Sequence, residues 1–172
     1  MHGRTCDQYN QLYRCFGWSQ REGKMKTIIL SDAEFYEIAN RDESHFFDTK
    51  EISASGKTIQ KIGTAFSNAD GGEILIGIID KKHRNSIDDA WEGVSDVESL
   101  NPHLQALFDV KPSLDLRYEI LKRSDNVGCA LRVVIEKGSQ VCSTSDNTVY
   151  IRQGAQSLPM KDPERIQQLN FA

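Results

Sequence analysis

The stretch FFDTKEISASGKTIQKIGTAFSNADGGEILIGIID, residues 46–80, decides how this chain is read. Its opening, taken with the preceding residue as HFFDTKEI, alternates roughly between apolar and polar, the period of a strand. From Gly56 to Ala69 the apolar residues Ile59, Ile62, Ala65, Phe66 and Ala69 recur at spacings of three and four, which is a helical stripe. Asp70-Gly71-Gly72 stops that helix, because glycine enters the left-handed cap conformation without steric cost. EILIGIID then runs almost continuously apolar, as a strand buried on both faces does. Strand, helix and strand in this order make a compact βαβ-like unit.

Working outward, KTIILSDAEF after Met25 reads as the beginning of the domain, with residues 1–24 an N-terminal extension. Ser31 and Asp32 offer N-caps to a short helix, AEFYEIANR, that carries Phe35 and Ile38 on one face. Downstream, Trp91 to Val94 is a loop, and VESLNPHLQALF is a helix with Pro102 in or near its first turn. LDLRYEILKRSDNVGCALRVVIEK reads as two strands joined by a turn at Ser124 to Gly128. NTVYIRQG is a further strand, and DPERIQQLNF a last helix capped by Asp162 with Pro163 at its first position. No repeat interrupts this order. The expectation is a single α/β (α+β) domain over residues 25–172.

Composition narrows the class. The 172 residues are 38% hydrophobic and 27% charged, the balance of a globular protein with a real core. No apolar run approaches the roughly 20 residues of a membrane helix, and the first residues lack the apolar core of a signal peptide. Cys6, Cys15, Cys129 and Cys142 form no C-x-x-C pair, so reduced thiols and a cytoplasmic location are expected. A net charge of −4 argues against coating nucleic acid through global charge. It leaves room for local basic runs, of which Lys50, Lys57 and Lys61 form one and Lys81, Lys82, His83 and Arg84 another.

Two chemistries compete within residues 46–66. SGKT resembles the end of a phosphate-binding P-loop, but G-x-x-x-x-G-K-[ST] requires its first glycine where this chain has Glu51. A carboxylate there would repel phosphate, so nucleotide binding by a P-loop is rejected. Gly56 instead opens the helix, capped by Ser53 or Ser55. The other reading is acid-x-Lys. Metal-dependent phosphodiester cleavage uses two or three carboxylates around a divalent cation and commonly a nearby lysine. Asp48 and Lys50 are two apart on a strand and share a face. Glu43 precedes that strand, and Asp80 ends the next one. These four are the candidate catalytic residues, with Glu43, Asp48 and Asp80 as ligands of Mg²⁺ or Mn²⁺ and Lys50 facing the phosphate. An exposed ion pair of little consequence is the competing reading of the same pattern.

The runs ESHFFDTKE, IQKIGTAFSNADGGEILIGIID and VYIRQG, followed by a helix that starts on an acid, resemble the Schlafen-like AlbA_2 family, described as DNA-binding. The resemblance covers most of residues 31–169. It implies a mixed sheet with helices packed on it, and binding of nucleic acid, RNA favoured and DNA possible. In the family's nuclease branch two acids and a lysine near the first strand and one acid after the G-G strand cleave RNA. Carried over, these are Glu43, Asp48, Lys50 and Asp80, which implies a metal-dependent endoribonuclease acting on structured RNA such as tRNA. The second acid is usually Glu in the family and is Asp48 here, a shorter side chain. Because related nucleases grip RNA with two lobes, the resemblance also implies a homodimer.

Lys57, Lys61, Lys82, Arg84 and Arg152 are the expected contacts to the nucleic-acid backbone. Tyr150 and Trp91 could stack on bases, but a place in the core is the favoured reading of each. A non-catalytic binding or partner-recruiting module is the main alternative to the enzyme, and a DNA-cutting enzyme of restriction type is another. The two classes part on whether the acidic cluster needs a metal.

Overall fold

The computed structural model describes residues 25–125, 128–162 and 164–165. The expected N-terminal extension, with Cys6 and Cys15, and most of the expected final helix lie outside these residues.

Among the described residues the first element is a strand, β1 (Lys26–Leu30). It leads directly into helix α1 (Asp32–Asn40), where the Ser31 hydroxyl accepts the Glu34 N–H and the Glu34 carboxylate accepts the Ser31 N–H, a complete capping box. Next comes β2 (Phe47–Lys50), then α2 (Gly56–Ser67), whose N-cap is Ser55. The third strand, β3 (Gly72–Ile76), runs parallel to β2 with Asp48 opposite Ile74 and Lys50 opposite Ile76. The expected βαβ unit is therefore present. Gly71, at φ +80°, makes the turn between α2 and β3, and an added Cβ there would sit 2.7 Å from the Ile135 carbonyl oxygen.

The second strand of that unit is shorter than EILIGIID suggests. Gly77 has φ +97°, outside the extended range, and ends the pairing at Ile76. Ile78 then bridges to Trp91 in an isolated pair.

Beyond short 3-10 turns comes α3 (Asn101–Phe108), entered through a 3-10 turn over Val97–Leu100 with Pro102 in its first turn. The hairpin follows as β4 (Leu116–Arg123) and β5 (Cys129–Ile135), antiparallel. Finally β6 (Tyr150–Gln153) and β7 (Gln156–Pro159) form a separate two-stranded sheet.

The main sheet has the order β1-β4-β5-β3-β2, with β1 parallel to β4 and β3 antiparallel to β5. The mixed sheet agrees with expectation, but β1 and β7 were not anticipated. Strand periodicity divides the core in two. Ile74, Ile76, Leu131, Val133 and Ile135 pack with Ile59, Phe66, Leu104 and Leu107 of α2 and α3 on one face. Their neighbours Leu75, Ala130 and Leu121 turn to the other face, against Phe35 of α1 and Trp91. Helices on both faces explain why β3 and β5 read as almost unbroken apolar runs.

Candidate functional site

Strand β2 is an edge strand of the main sheet, and Arg152 of the β6–β7 hairpin reaches that edge. Arg152 of β6 is 3% exposed. Its Nε donates to the Ser44 carbonyl at 3.2 Å, and Nη2 donates to the carbonyls of Ser44 at 2.8 Å and Phe47 at 3.2 Å. Its Nη1 donates to Asp48 Oδ2 at 2.8 Å and to the Ser157 hydroxyl at 3.2 Å. A guanidinium has five N–H groups, and these five contacts occupy them. Its flat face lies 4.8 Å from the centre of the Phe66 ring. Arg152, expected as an exposed backbone contact, is a strut between the hairpin, the β2 edge and α2.

Asp48, 3% exposed, gives its second oxygen to Lys50. Lys50 also donates to Glu43 Oε1 at 3.0 Å and to the Thr49 carbonyl at 2.7 Å, which uses the three donors of an ammonium. Glu43, Asp48, Lys50 and Arg152 thus form one hydrogen-bonded chain in which the formal charges cancel. Burial pushes the Asp48 carboxyl above its ordinary value, with Lys50 and Arg152 pulling the other way and Glu43 adding to the rise. Burial also draws the Lys50 ammonium down, but the Asp48 and Glu43 carboxylates outweigh it and hold Lys50 above its ordinary value, firmly charged.

The third acid stands apart. Asp80 accepts the Lys82 N–H at 3.0 Å and opens a 3-10 turn over Lys81–His83. It is not among the residues that line the cleft beside the ion network. Lys81 reaches Asp42 at 2.6 Å and His83 reaches Glu51 at 3.4 Å, so the basic turn packs against both ends of the segment bearing Glu43, Asp48 and Lys50. Lys82 is exposed, whereas Arg84 is half-buried and donates to the Ala39 carbonyl near the end of α1 at 2.5 Å.

Do these residues suit a divalent cation? Asp48 has both oxygens engaged by cations, and Glu43 meets the same lysine. Among the described residues no group of three or more His, Cys, Asp or Glu is placed to hold a metal ion. In this arrangement Lys50 occupies the position that a cation would take between the two carboxylates. The residues do not fit a metal unless Lys50 leaves.

A cleft of about 340 Å³ opens over the network. Its walls include Lys50, Thr58 and Lys61 on one side and Gln156, Ser157 and Leu158 of β7 on the other. A second, smaller cavity lies along α2 and shares Thr58 and Lys61 with it. Lys57 and Tyr150 line this second cavity, and the Lys61 ammonium lies 5.6 Å from the centre of the Tyr150 ring. The Lys57 side chain is 86% exposed, and among the described residues its ion-pair partner is Asp146 at 3.8 Å. Lys57, Lys61 and Tyr150 are thus brought together at one groove, while Trp91 is in the core, edge-on to Phe35 at 6.0 Å.

Sequence reasoning missed the carbonyls of Ser44 and Phe47 and the hydroxyl of Ser157. No side-chain pattern announces a carbonyl partner. Ser157 had one usable signal: β7 follows β6 after the short Gly154-Ala155 turn, which makes a hairpin there.

The family model described as Schlafen, AlbA_2 matches residues 43–161, well over half of the 172. The match begins at Glu43 and passes beyond β7, so it takes in the whole ion network. Among solved structures, the crystal structure of the DIP2311 protein from Corynebacterium diphtheriae is similar, with a TM-score of 0.52 and 15% identity. The similarity covers 81% of this chain and 32% of that one. This chain therefore spans about a third of that relative's length, and the likeness is one of fold. No curated protein matches the chain.

Proposed function

The chain belongs to the Schlafen AlbA_2 family, and on that premise we propose that it is a nucleic-acid-binding module that holds its ligand without cutting it. Lys57 and Lys61 meet phosphates along the α2 groove, and exposed Lys82 extends the cationic surface. The observation that carries this reading is the closed ion network. Two of the three acids that would ligate a catalytic metal, Glu43 and Asp48, are instead spent on neutralising Lys50 and Arg152, and the third, Asp80, stands apart from them. A buried arginine with every donor satisfied fixes the hairpin that forms one wall of the cleft, so the acids shape the binding surface.

The metal-dependent endoribonuclease makes the opposite demand: Lys50 must swing out so that Glu43 and Asp48 can face a cation. The test is incubation of a tRNA pool and a DNA duplex with Mg²⁺, with Mn²⁺ and with chelator, alongside binding measured at several salt concentrations. Salt-sensitive binding that is indifferent to chelator, with no cleavage, is the expected result. Metal-dependent RNA cleavage abolished by Asp48→Asn would replace this reading with the nuclease, and cleavage confined to DNA would replace it with the restriction-type enzyme. RNA versus DNA preference is read from the same binding curves.

A further inference from the structure

The smaller cavity along α2 carries an inference that rests on the nucleic-acid reading and sharpens it. Its volume is about 150 Å³. At roughly 30 Å³ per water that is room for about five waters, or one planar ring system. Its wall holds a side chain with unspent hydrogen-bonding capacity. Gln60 is 6% exposed. Its amide oxygen accepts both the Ser145 N–H at 3.1 Å and the Ser145 hydroxyl at 3.0 Å. Those bonds fix the flip of the amide and leave Nε2, with its two N–H donors, without a partner among the described residues. An amide held in one orientation on a mostly buried side chain, with its N–H donors free at a cavity wall, suits a ligand acceptor.

The other lining groups complement it. Asp146 stands at the mouth, one oxygen taken by the Thr144 hydroxyl at 2.5 Å and the other facing Lys57 at 3.8 Å. The Thr144 and Thr148 bonds hold the Asp146 carboxyl below its ordinary value, so it is an acceptor at neutral pH. Tyr150 adds an aromatic wall beside the Lys61 ammonium. A fixed donor, a carboxylate acceptor and an aromatic wall in a base-sized space define an edge that reads acceptor beside donor. Guanine presents this on its pairing edge, with O6 as acceptor and N1–H and N2–H₂ as donors. Adenine offers no carbonyl, and uracil has no amino group.

We propose that this cavity takes one unpaired guanine. Gln60 Nε2 donates to O6, Asp146 accepts from N1–H and N2–H₂, the ring lies against Tyr150, and Lys57 and Lys61 meet the flanking phosphates. An unpaired base is required because the pairing edge is the edge that is read.

The test uses the full chain with the four nucleoside 5′-monophosphates and with decamers of uridine carrying a central G, A or C, measured by calorimetry and amide NMR shifts. A well-made bidentate contact discriminates by about tenfold or more. The expected result is at least about tenfold tighter binding of the G decamer, with shifts centred on Gln60 and Asp146. The preference should collapse in Asp146→Asn and in Gln60→Glu, which keep side-chain shape while reversing donor and acceptor. Decamers bound equally whatever the central base would overturn the guanine pocket and leave the nucleic-acid module standing. No binding of any decamer or monophosphate would overturn both. A tighter complex with the C decamer would reassign the pocket to cytosine and overturn guanine.

Discussion

Arg152 Nη1 donates to Asp48 Oδ2 across 2.8 Å, and both residues are 3% exposed. The pair joins residues 104 positions apart. It ties the small β6–β7 sheet to the edge of the main one, so a charge pair does the work that strand pairing does elsewhere in this sheet.

Removing one partner should cost far more than removing both. Arg152→Met leaves Asp48 buried without its guanidinium and exposes the Ser44 and Phe47 carbonyls to an unmade bond. Breaking a buried pair from one side costs about 3–5 kcal/mol. Chemical denaturation should show a loss of that order for Arg152→Met and a smaller one for the Arg152→Met, Asp48→Leu double variant. Equal losses in the two would mean that the pair is not the source of the stabilisation.

Divalent cations should leave the melting temperature unchanged. A ligand that binds only the folded state stabilises by about 2.7 kcal/mol at a hundred times its Kd. Millimolar Mn²⁺ or Mg²⁺ is therefore expected to give no rise in calorimetry. A concentration-dependent rise that disappears in Asp48→Asn would show that Lys50 yields its place to a metal.

Charge reversal on the groove should weaken binding without unfolding the protein. The Lys57 contact with Asp146 spans 3.8 Å between exposed side chains, a pair worth little. Lys57→Glu and Lys61→Glu should lower affinity for every sequence. Each lost phosphate contact should reduce the slope of log K against log salt by about 0.7–0.9. An unchanged slope would place the ligand elsewhere, as would an equal effect from Lys122→Glu on β4.

Stability should fall on mild acidification because of His103. The ring is 5% exposed and its Nδ1 has no hydrogen-bond partner among the described residues. Burial holds its pKa below the ordinary 6.5, against smaller upward pulls from the Ile52 backbone and Glu92. The unfolded chain therefore binds the proton at higher pH than the folded one, and stability is lost as pH falls below 6.5. Melting curves at pH 7.5 and pH 5 should show this loss in the wild type and a flatter profile in His103→Gln. Identical profiles would remove His103 as the cause.

Cys129 and Cys142 bear on handling. Both are buried and free, and burial pushes the Cys142 thiol up to about 11 and raises Cys129 as well. Both are thus poor thiolates at neutral pH, in keeping with reduced structural cysteines.

Local chemistry was legible along the chain. The stripe Ile59, Ile62, Phe66, the Gly71 turn and the apolar β3 each depend on residues close in sequence, so the βαβ unit, the capped α1 and the β4–β5 hairpin followed from periodicity and turn residues. Asp48 beside Lys50 on one strand face was legible for the same reason. Short KTIIL became β1 only because β4 offers it an edge, and QSLP became β7 only through its hairpin with β6. The partners of Arg152, and hence whether it meets a ligand or braces the fold, depend on carbonyls more than a hundred residues away. So does the state of the acids. Spacing alone puts two carboxylates and a lysine on one face, but only packing that brings β6 over the β2 edge adds the second buried cation that closes the network. The physical reason is common to all these cases. Backbone periodicity and caps are short-range properties, whereas desolvation and charge pairing are set by whatever the folded chain brings within about 4 Å.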